Sequence, residues 1–244
     1  MLPGLFITGT DTGVGKTVVT GALAAGLRGR GLDVGVMKPL QTGARVLPEG
    51  GLIAPDARFL TAVSGVQDPP DLICPVMLLA PVAPSVAARL EGFEIPVPLI
   101  LHAFAELRKR HRYVLVEGAG GIGVPIRDDY LMSDLARDMG LPVVVVARPT
   151  LGTINHTLLT VRFARSAGLV VLGVIIANAA RGCAMTLAED TSPAVIEALA
   201  RVRILGKMPH DPDVDVDNRI AGGILEDLVQ NPLLDEIQAA LTGG

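Results

Sequence analysis

Apolar runs alternate along the chain with segments whose apolar residues recur at helical spacing. The runs that predict strands are residues 5–8, 33–38, 113–121, 142–147 and 170–178. The segments that predict helices are residues 16–31, 95–111 and 155–168. Because the strands are almost wholly apolar, we expect helices to cover both faces of their sheet. The pattern predicts an α/β fold with a doubly wound, mostly parallel sheet in a three-layer sandwich, and a single domain spanning residues 1–244.

Composition narrows the classes of partner. The 244 residues are 50% hydrophobic and carry a net charge of −4, without an extended basic surface. Since affinity for the nucleic-acid backbone requires many Lys and Arg side chains on one face, we expect no nucleic-acid partner. The one basic run, residues 108–112, is interpreted as a solvated helix C-terminus, where cations are favoured.

The sequence also indicates a cytoplasmic protein. No window approaches the roughly 18 uninterrupted apolar residues of a membrane-spanning helix, so we expect no membrane span. The first apolar run has no basic segment before it, so we expect no export signal. Cys74 and Cys183 lie far apart, without metal-binding spacing, and are expected to be buried thiols in a reducing compartment.

The segment GTDTGVGKT, residues 9–17, joins the first predicted strand to the first predicted helix. It is similar to a phosphate-binding loop, but five residues separate Gly9 from Gly15 where the usual pattern has four. In such a loop the glycines let backbone N–H groups turn toward phosphates at a helix N-terminus. Lys16 would reach the β- and γ-phosphates, and the Thr17 hydroxyl would bind Mg²⁺. The segment predicts a nucleoside triphosphate site in a P-loop NTPase-like fold.

Charged residues end two of the apolar strands. Lys38 begins KPLQTG (residues 38–43), and Glu117 lies in VEGAGG (residues 116–121). A charge at the end of an apolar strand is costly unless it meets water or an opposite charge, so both side chains are expected in the ligand crevice. Glu117 is a candidate Mg²⁺ ligand. Asp56 fits either a helix cap or a metal ligand, and the residues alone leave both open.

The acidic run DPDVDVDN, residues 211–218, does not fit a calcium loop. Starting from Asp211, an EF-hand loop needs Gly at its sixth position and Glu at its twelfth, where Val216 and Gly222 stand. We interpret the run as a solvated acidic loop.

Four segments, in this order along the chain, resemble those of the dethiobiotin synthetase family: GTDTGVGKT (residues 9–17), KPLQTG (residues 38–43), VEGAGG (residues 116–121) and LGTINHTLLT (residues 151–160). They span residues 9–160, and ILGKMPHDP (residues 204–212) resembles the later base-contacting loop of the family more loosely. The resemblance implies an enzyme that uses ATP and Mg²⁺ to convert 7,8-diaminononanoate and CO₂ into dethiobiotin, ADP and phosphate. A carbamate and its mixed anhydride with phosphate would be the intermediates.

The resemblance also implies roles for individual residues. The implied catalytic residues are Lys38, Lys16, Thr12 and Thr42. The implied metal ligands are Thr17, Asp56 and Glu117. The implied nucleotide contacts are Gly13, Val14, Gly15, Lys16, Thr17, Val18, Asp56, Glu117, Gly118, Ala119, Gly120, Asn178, Met208, Pro209 and His210. The implied substrate contacts are Thr12, Lys38, Thr42, Leu151, Gly152, Thr153, Ile154 and Asn155.

A homodimer is a further implication of the family. Residues 151–155 would receive the substrate carboxylate at a helix N-terminus that belongs to the partner subunit, which agrees with the affinity of free helical amides for anions. Within the same segment, His156 is interpreted as a structural residue of the helix rather than as a base or metal ligand.

Two other functions remain open from the sequence. One is another ATP-dependent ligase of this superfamily, such as the synthetase part of a corrinoid-pathway amidotransferase. The other is a ParA-type nucleotide switch, although Asp11 stands where such ATPases carry an additional lysine. The sequence does not fix the nucleotide preference or the role of the acidic loop.

Overall fold

A computed structural model describes residues 2–179, 186–229 and 231–243. The strands are β1 (Gly4–Gly9), β2 (Val34–Met37), β3 (Leu40–Thr42), β4 (Arg45–Val46), β5 (Leu52–Ile53), β6 (Val76–Leu78), β7 (Tyr113–Gly121), β8 (Pro125–Arg127), β9 (Tyr130–Leu131), β10 (Val143–Ala147), β11 (Val171–Ala179) and β12 (Ile204–Pro209). The helices are α1 (Lys16–Gly29), α2 (Pro55–Ser64), α3 (Pro70–Ile73), α4 (Pro84–Glu91), α5 (Val97–Arg110), α6 (Met132–Asp138), α7 (Thr153–Ser166), α8 (Leu187–Ala200), α9 (Ile224–Val229) and α10 (Pro232–Thr242).

Six strands form one central sheet in the order β12-β11-β10-β1-β7-β2, and every neighbouring pair is parallel. The chain starts in the middle of the sheet at β1 and reverses its direction of winding, which confirms the doubly wound topology. Parallel strands align their carboxyl ends, so the loops after β1, β2 and β7 meet at one edge.

Helices cover both faces of this sheet, as the apolar strands predicted. Alternation along β1 sends Phe6 into one core, and Leu5 and Ile7 into the other. Residues from α5, α6 and α7 fill the first core, and residues from α1, α2, α9 and α10 fill the second. The three-layer arrangement is therefore confirmed.

The predicted helix 155–168 begins two residues earlier, at Thr153, because Gly152 adopts the left-handed conformation (φ 93°) that ends the preceding turn. No helix was predicted from the sequence after residue 212, where α9 and α10 pack on α1. A methyl group added at Gly26 would lie 3.0 Å from the Leu234 side chain, so a small residue on α1 lets α10 approach closely.

The basic run at the end of α5 is only partly solvated. His111 is 13% exposed, and its ring nitrogens lie 2.7 Å from carboxylate oxygens of Asp33 and Asp68. Arg108 donates to the carbonyl oxygen of Pro3 at 2.6 Å. The interpretation as a purely solvated helix end was therefore wrong for these two residues, which tie α5 to the start of β1 and β2.

Gly35 makes room for this histidine, and we expect Gly35→Ala to lower the free energy of unfolding by about 1–3 kcal/mol. An added methyl group would lie 2.4 Å from the Cδ2 atom of His111, a ring that its two carboxylate partners prevent from moving away. Urea denaturation of Gly35→Ala, His111→Ala and the double variant measures the coupling. Since removing the ring relieves the clash, the double variant should cost less than the two single changes summed; strict additivity would contradict this packing.

Cys74 is buried, as predicted, whereas Cys183 lies outside the described residues. Burial raises the pKa of the Cys74 thiol to about 12. Because the thiolate is the reactive form, we expect iodoacetamide to leave Cys74 unmodified at pH 8 in the native protein and to modify it in guanidinium chloride. Peptide mass spectrometry checks this, and rapid native alkylation at Cys74 would show that its thiolate forms readily at this pH. Within the described residues, no helix has the length and apolarity needed to cross a bilayer.

Candidate active site

A pocket of about 650 Å³ opens at the edge where the strands end. The predicted residues that line it are Thr12, Gly13, Gly15, Lys16, Thr17, Val18, Lys38, Thr42, Asp56, Glu117, Ala119, Gly120, Asn178, Pro209 and His210. These come from six separate segments of the chain, so the fold brings the strand-end motifs into one cavity.

The phosphate-binding loop wraps into the N-terminus of α1. Gly15 has φ 100°, a left-handed conformation that favours glycine, and a methyl group there would lie 3.2 Å from the Ala177 side chain. The Lys16 ammonium donates to the carbonyl oxygen of Asp11 at 3.1 Å. Burial lowers the pKa of Lys16 to about 8, and the nearby Glu117 opposes this shift. The lysine is therefore held across the loop, where anionic phosphate oxygens would favour its charged form.

Lys38 lies between two carboxylates. Its ammonium nitrogen is 2.6 Å from Oε1 of Glu117 and 2.7 Å from Oδ2 of Asp56. The lysine side chain is 5% exposed and that of Glu117 is 1% exposed. Burial disfavours the ammonium charge, but the two carboxylates outweigh it and raise the pKa of Lys38 above its ordinary value. The site therefore holds a fixed positive charge beside the phosphate-binding loop.

The same cluster fits a hard divalent cation. Thr17 donates its hydroxyl to Oε1 of Glu117 at 2.8 Å, while Oε2 of Glu117 is buried and has no hydrogen-bond partner. An orphaned buried carboxylate oxygen beside a hydroxyl and a second carboxylate is the donor chemistry that Mg²⁺ prefers. In the described part of the chain there is no group of three or more His, Cys, Asp or Glu that could hold a metal alone. A cation here would also need ligands from phosphates and water.

Asp56 does not cap α2, because the N-cap position is Ala54. Asp56 lies in the first turn of the helix, and its backbone N–H donates to Oε1 of Gln41 at 3.1 Å. Gln41 is buried, lines the pocket and was not singled out from the sequence. Gln41 lies in β3, three residues after Lys38. The same short segment therefore supplies the lysine and the side-chain amide that holds the backbone of Asp56.

We expect Gln41→Ala to raise the Mg²⁺ concentration needed for half-maximal turnover about tenfold, because the N-terminus of α2 loses the acceptor that fixes Asp56. Mg²⁺ titration of ADP formation at saturating ATP measures this, with the exposed Gln67→Ala as the matched control. An unchanged Mg²⁺ half-saturation in Gln41→Ala would show that Asp56 is positioned without Gln41.

The acidic run also contributes to the pocket, so its interpretation as only a solvated loop was incomplete. Asp211, Val214 and Val216 line the cavity. Asp211 accepts from the backbone N–H of Gly223 at 2.7 Å, and Arg45 pairs with Asp217 at 2.6 Å. Periodicity could not reveal this, because the run forms an irregular turn. Further lining residues that the sequence did not indicate are Pro81, Val82, Ala83, Pro84, Val124 and Ile224.

Some predicted contacts do not line this pocket. Val14 and Met208 are buried in the core, and Gly118 packs under Phe6, whose ring would lie 2.8 Å from an added methyl group. Residues 151–155 do not line the pocket of their own chain. There Leu151 is 90% exposed, and the Thr153 hydroxyl is buried without a partner.

Arg148, which sequence reasoning missed, connects that segment to the phosphate-binding loop. One guanidinium nitrogen lies 2.9 Å from Nδ1 of His156 and 3.5 Å from Oδ2 of Asp11. His156 therefore has a structural contact, in agreement with its interpretation as a structural residue. Arg148 follows β10 directly, which is the only signal that could have identified it.

Comparisons of this sequence with known proteins show the family to which the chain belongs. A family model described as an AAA domain matches residues 3–218. A protein of Thermodesulfovibrio yellowstonii, named ATP-dependent dethiobiotin synthetase BioD, is 43% identical over 89% of this chain and 92% of its own. The protein of the same name from Bacillus velezensis is 44% identical over 87% of this chain and 89% of its own.

Solved structures agree on the fold. The cell division ATPase MinD of Pyrococcus furiosus matches with a TM-score of 0.61 at 19% identity, over 98% of this chain and 100% of its own. A ParA family ATPase of Chlorobium tepidum matches with a TM-score of 0.57 at 14% identity, over 98% of each chain. These likenesses establish a P-loop NTPase-like fold, and at such identities they carry nothing about activity.

Proposed function

The chain belongs to the dethiobiotin synthetase family of ATP-dependent ligases, and we propose that it carboxylates 7,8-diaminononanoate and closes the product to the cyclic urea dethiobiotin. ATP would be converted to ADP and phosphate. The observation that carries the proposal is the buried Lys38, held by Glu117 and Asp56 at 2.6 and 2.7 Å beside the phosphate-binding loop.

The reaction needs electrostatic stabilisation more than proton transfer. One amine of the substrate would attack CO₂ and lose a proton, which gives an anionic carbamate. The carbamate oxygen would then attack the γ-phosphorus of ATP, and the bond to the ADP oxygen would break. The second amine would attack the resulting anhydride and expel phosphate as the ring closes. Each stage develops negative charge that fixed cations stabilise.

Two lysines supply those cations. Lys38 is held charged by its carboxylate neighbours and lines the same pocket as Thr42, so it is suited to the carbamate and the transferring phosphoryl group. Lys16 spans the loop whose amides would hold the β- and γ-phosphates, so it is suited to stabilise the transferring phosphoryl group. Thr12 and Thr42 both line the pocket with hydroxyl groups and are suited to orient the diamine and the carbamate.

Thr17, Glu117 and Asp56 would hold Mg²⁺, which would supply positive charge to neutralise the phosphates. Glu117 and Asp56 both contact Lys38, so their carboxylate oxygens would be shared between the Lys38 ammonium and Mg²⁺. Nucleotide contacts would come from the loop amides, and Asn178 is a suitable partner for the base. Its side chain lies on the rim beside Gly15, 3.5 Å from where a methyl group would stand there.

The decisive experiment is ADP release from MgATP and bicarbonate, with and without 7,8-diaminononanoate, together with mass detection of dethiobiotin. We expect ADP release to require the diamine and to match dethiobiotin in amount. Hydrolysis that proceeds equally without the diamine, or ADP without the cyclic urea, would overturn the proposal and favour a nucleotide switch or another ligase.

We propose further that the active unit is a homodimer in which α7 of the partner receives the substrate carboxylate. Support comes from residues 151–155, which do not line their own pocket, and from three apolar side chains exposed near or along α7: Leu151, Leu159 and Phe163. A helix N-terminus with free amides is suited to an anion. A contact between two α7 faces would cover the apolar side chains.

Mixed dimers test this arrangement. Lys38→Met should inactivate the pocket, and Asn155→Glu should repel the substrate carboxylate from the exposed start of α7. If the site combines two subunits, mixing the inactive variants restores about a quarter of the wild-type sites, because half the dimers are mixed and each has one intact site. Absence of any recovery after subunit exchange, verified by mass spectrometry, would place both elements in one subunit.

A further inference from the structure

A second cavity, of about 720 Å³, lies behind the segment that carries Asp56. Its walls come from β5, the start of α2, residues 68–77 and the turn at Arg219. The catalytic pocket and this cavity share no lining residue. Ala54, two positions before Asp56, faces the second cavity, whereas Asp56 faces the first. The two cavities are therefore neighbours separated by one turn of chain.

The floor of the second cavity is apolar. Ala54, Ala57, Ile73 and Cys74 line it, and all four belong to the core on the α1 side of the sheet. An apolar floor of this size is typical of sites for small organic molecules, which fill pockets of roughly 300–1,000 Å³. The floor would favour an aliphatic chain over a sugar or a phosphate group.

Two arginines stand at the rim, and this sets the charge of a suitable ligand. Arg58 and Arg219 line the cavity, and neither guanidinium group forms an ion pair or hydrogen bond with another residue in the described ranges. Of the acidic residues there, Asp68 is already paired with His111 and Arg110, and only the exposed Asp71 lacks such a cation. The two guanidinium groups, unpaired within the described ranges, thus offer planar donors that match a carboxylate.

The backbone at Arg219 is held in an uncommon conformation. Its φ of 63° lies in the left-handed region, which costs free energy for a residue other than glycine. Asp215 and Ile220 exchange backbone hydrogen bonds of 2.9 and 2.8 Å across this turn, and Asn218 donates to Asp215. The turn is therefore braced by these hydrogen bonds, and Arg219 lines the cavity from it.

We propose that this cavity is a binding site for a small aliphatic monocarboxylate, with the chain on the apolar floor and the carboxylate at Arg58 and Arg219. The site is separate from the catalytic pocket. An occupant would also touch the segments that position the catalytic residues, since the backbone N–H of Lys38 donates to the carbonyl oxygen of Ile73 at 2.8 Å. The apolar surface of α7 lies on the opposite face of the sheet, so contacts there would leave this cavity open.

Octanoate is a suitable probe, and isothermal titration calorimetry of the full chain with MgADP present measures its binding. We expect one saturable site with a Kd of about 0.1–1 mM, while octylamine and octan-1-ol bind at least about tenfold more weakly. MgADP occupies the phosphate-binding loop, so binding in its presence distinguishes the cavity from the nucleotide site. This readout does not depend on synthetase activity, so its failure would leave the proposed function untouched.

Two variants locate the carboxylate. Arg219→Gly removes the side chain and suits the left-handed backbone, and Arg58→Ala truncates the other donor on an exposed helix face. Each should weaken octanoate about tenfold, because a charge-assisted contact is lost. Arg162→Ala, an exposed arginine on α7, changes the net charge equally and should leave the Kd unchanged.

The proposal would be overturned by the absence of saturable octanoate binding up to about 5 mM, by equal weakening in Arg162→Ala, or by equal affinity for octylamine. Protein-concentration-dependent association that disappears in Arg219→Gly would also overturn it, because a second copy of the chain would then be the occupant. Thermal melts of each variant verify folding, and Arg58→Gln replaces Arg58→Ala if the latter is unstable.

Discussion

Lys38→Met should reduce diamine-dependent ADP and dethiobiotin formation about a thousandfold. The ammonium is the buried cation nearest to both carboxylates, and it is fixed before substrate binds, so no reorganisation is needed when negative charge develops. Methionine nearly preserves the volume of the side chain and removes the charge. The measurement is kcat for ADP release with saturating MgATP, bicarbonate and diamine.

The same change affects folding, and the controls must separate the two effects. Removing Lys38 leaves the 1%-exposed Glu117 without its cation, which costs about 3–5 kcal/mol of stability when a buried pair is broken. Lys38→Arg keeps a positive charge beside Glu117 and should fold better, yet still lose most activity, because a guanidinium cannot take the place of a compact ammonium. Lys109→Met, at an exposed pair with Glu106, should behave as wild type. Near-normal turnover in a folded Lys38→Met would exclude Lys38 from the chemistry.

Gly15→Ala should weaken MgATP binding by at least about a hundredfold. Gly15 has φ 100°, and a methyl group there would lie 3.2 Å from the Cβ atom of Ala177 on β11. An alanine would have to leave the left-handed region, and the loop amides would then turn away from the phosphates. Calorimetric titration with a non-hydrolysable ATP analogue measures the loss.

Gly29→Ala is the matched control for this change. Gly29 lies at the other end of α1, has no positive φ, and nothing stands within 4 Å of an added methyl group. Alanine there should preserve nucleotide affinity and raise stability slightly, by up to about 1 kcal/mol. Wild-type affinity in Gly15→Ala would mean that the loop does not hold the phosphates in the way its geometry indicates.

Much of the site could be predicted because local patterns carry it. The phosphate-binding loop has a spacing that only a strand, a glycine-rich turn and a helix satisfy, and the structure places it between β1 and α1. Lys38 and Glu117 were found as charges that follow apolar runs. Lys38 directly follows β2 and Glu117 lies within β7, and the parallel pairing that sets Met37 opposite Val116 brings the two charges together. The helices after residue 212 were missed because they are short, and their apolar faces can be recognised only from their packing against α1.

The sequence by itself determined the fold class, the phosphate-binding loop and the family, since each depends on residues that are close along the chain. Only the tertiary structure decided which atoms meet. The Lys38–Glu117 contact joins residues 79 apart, and the Thr17–Glu117 contact joins residues 100 apart. The anchoring of Asp56 by Gln41, the link from Arg148 to His156, and the place of the acidic run at the pocket depend on how loops pack. Loops have no periodicity that records their partners, so their contacts are set by packing between distant segments rather than by local pattern.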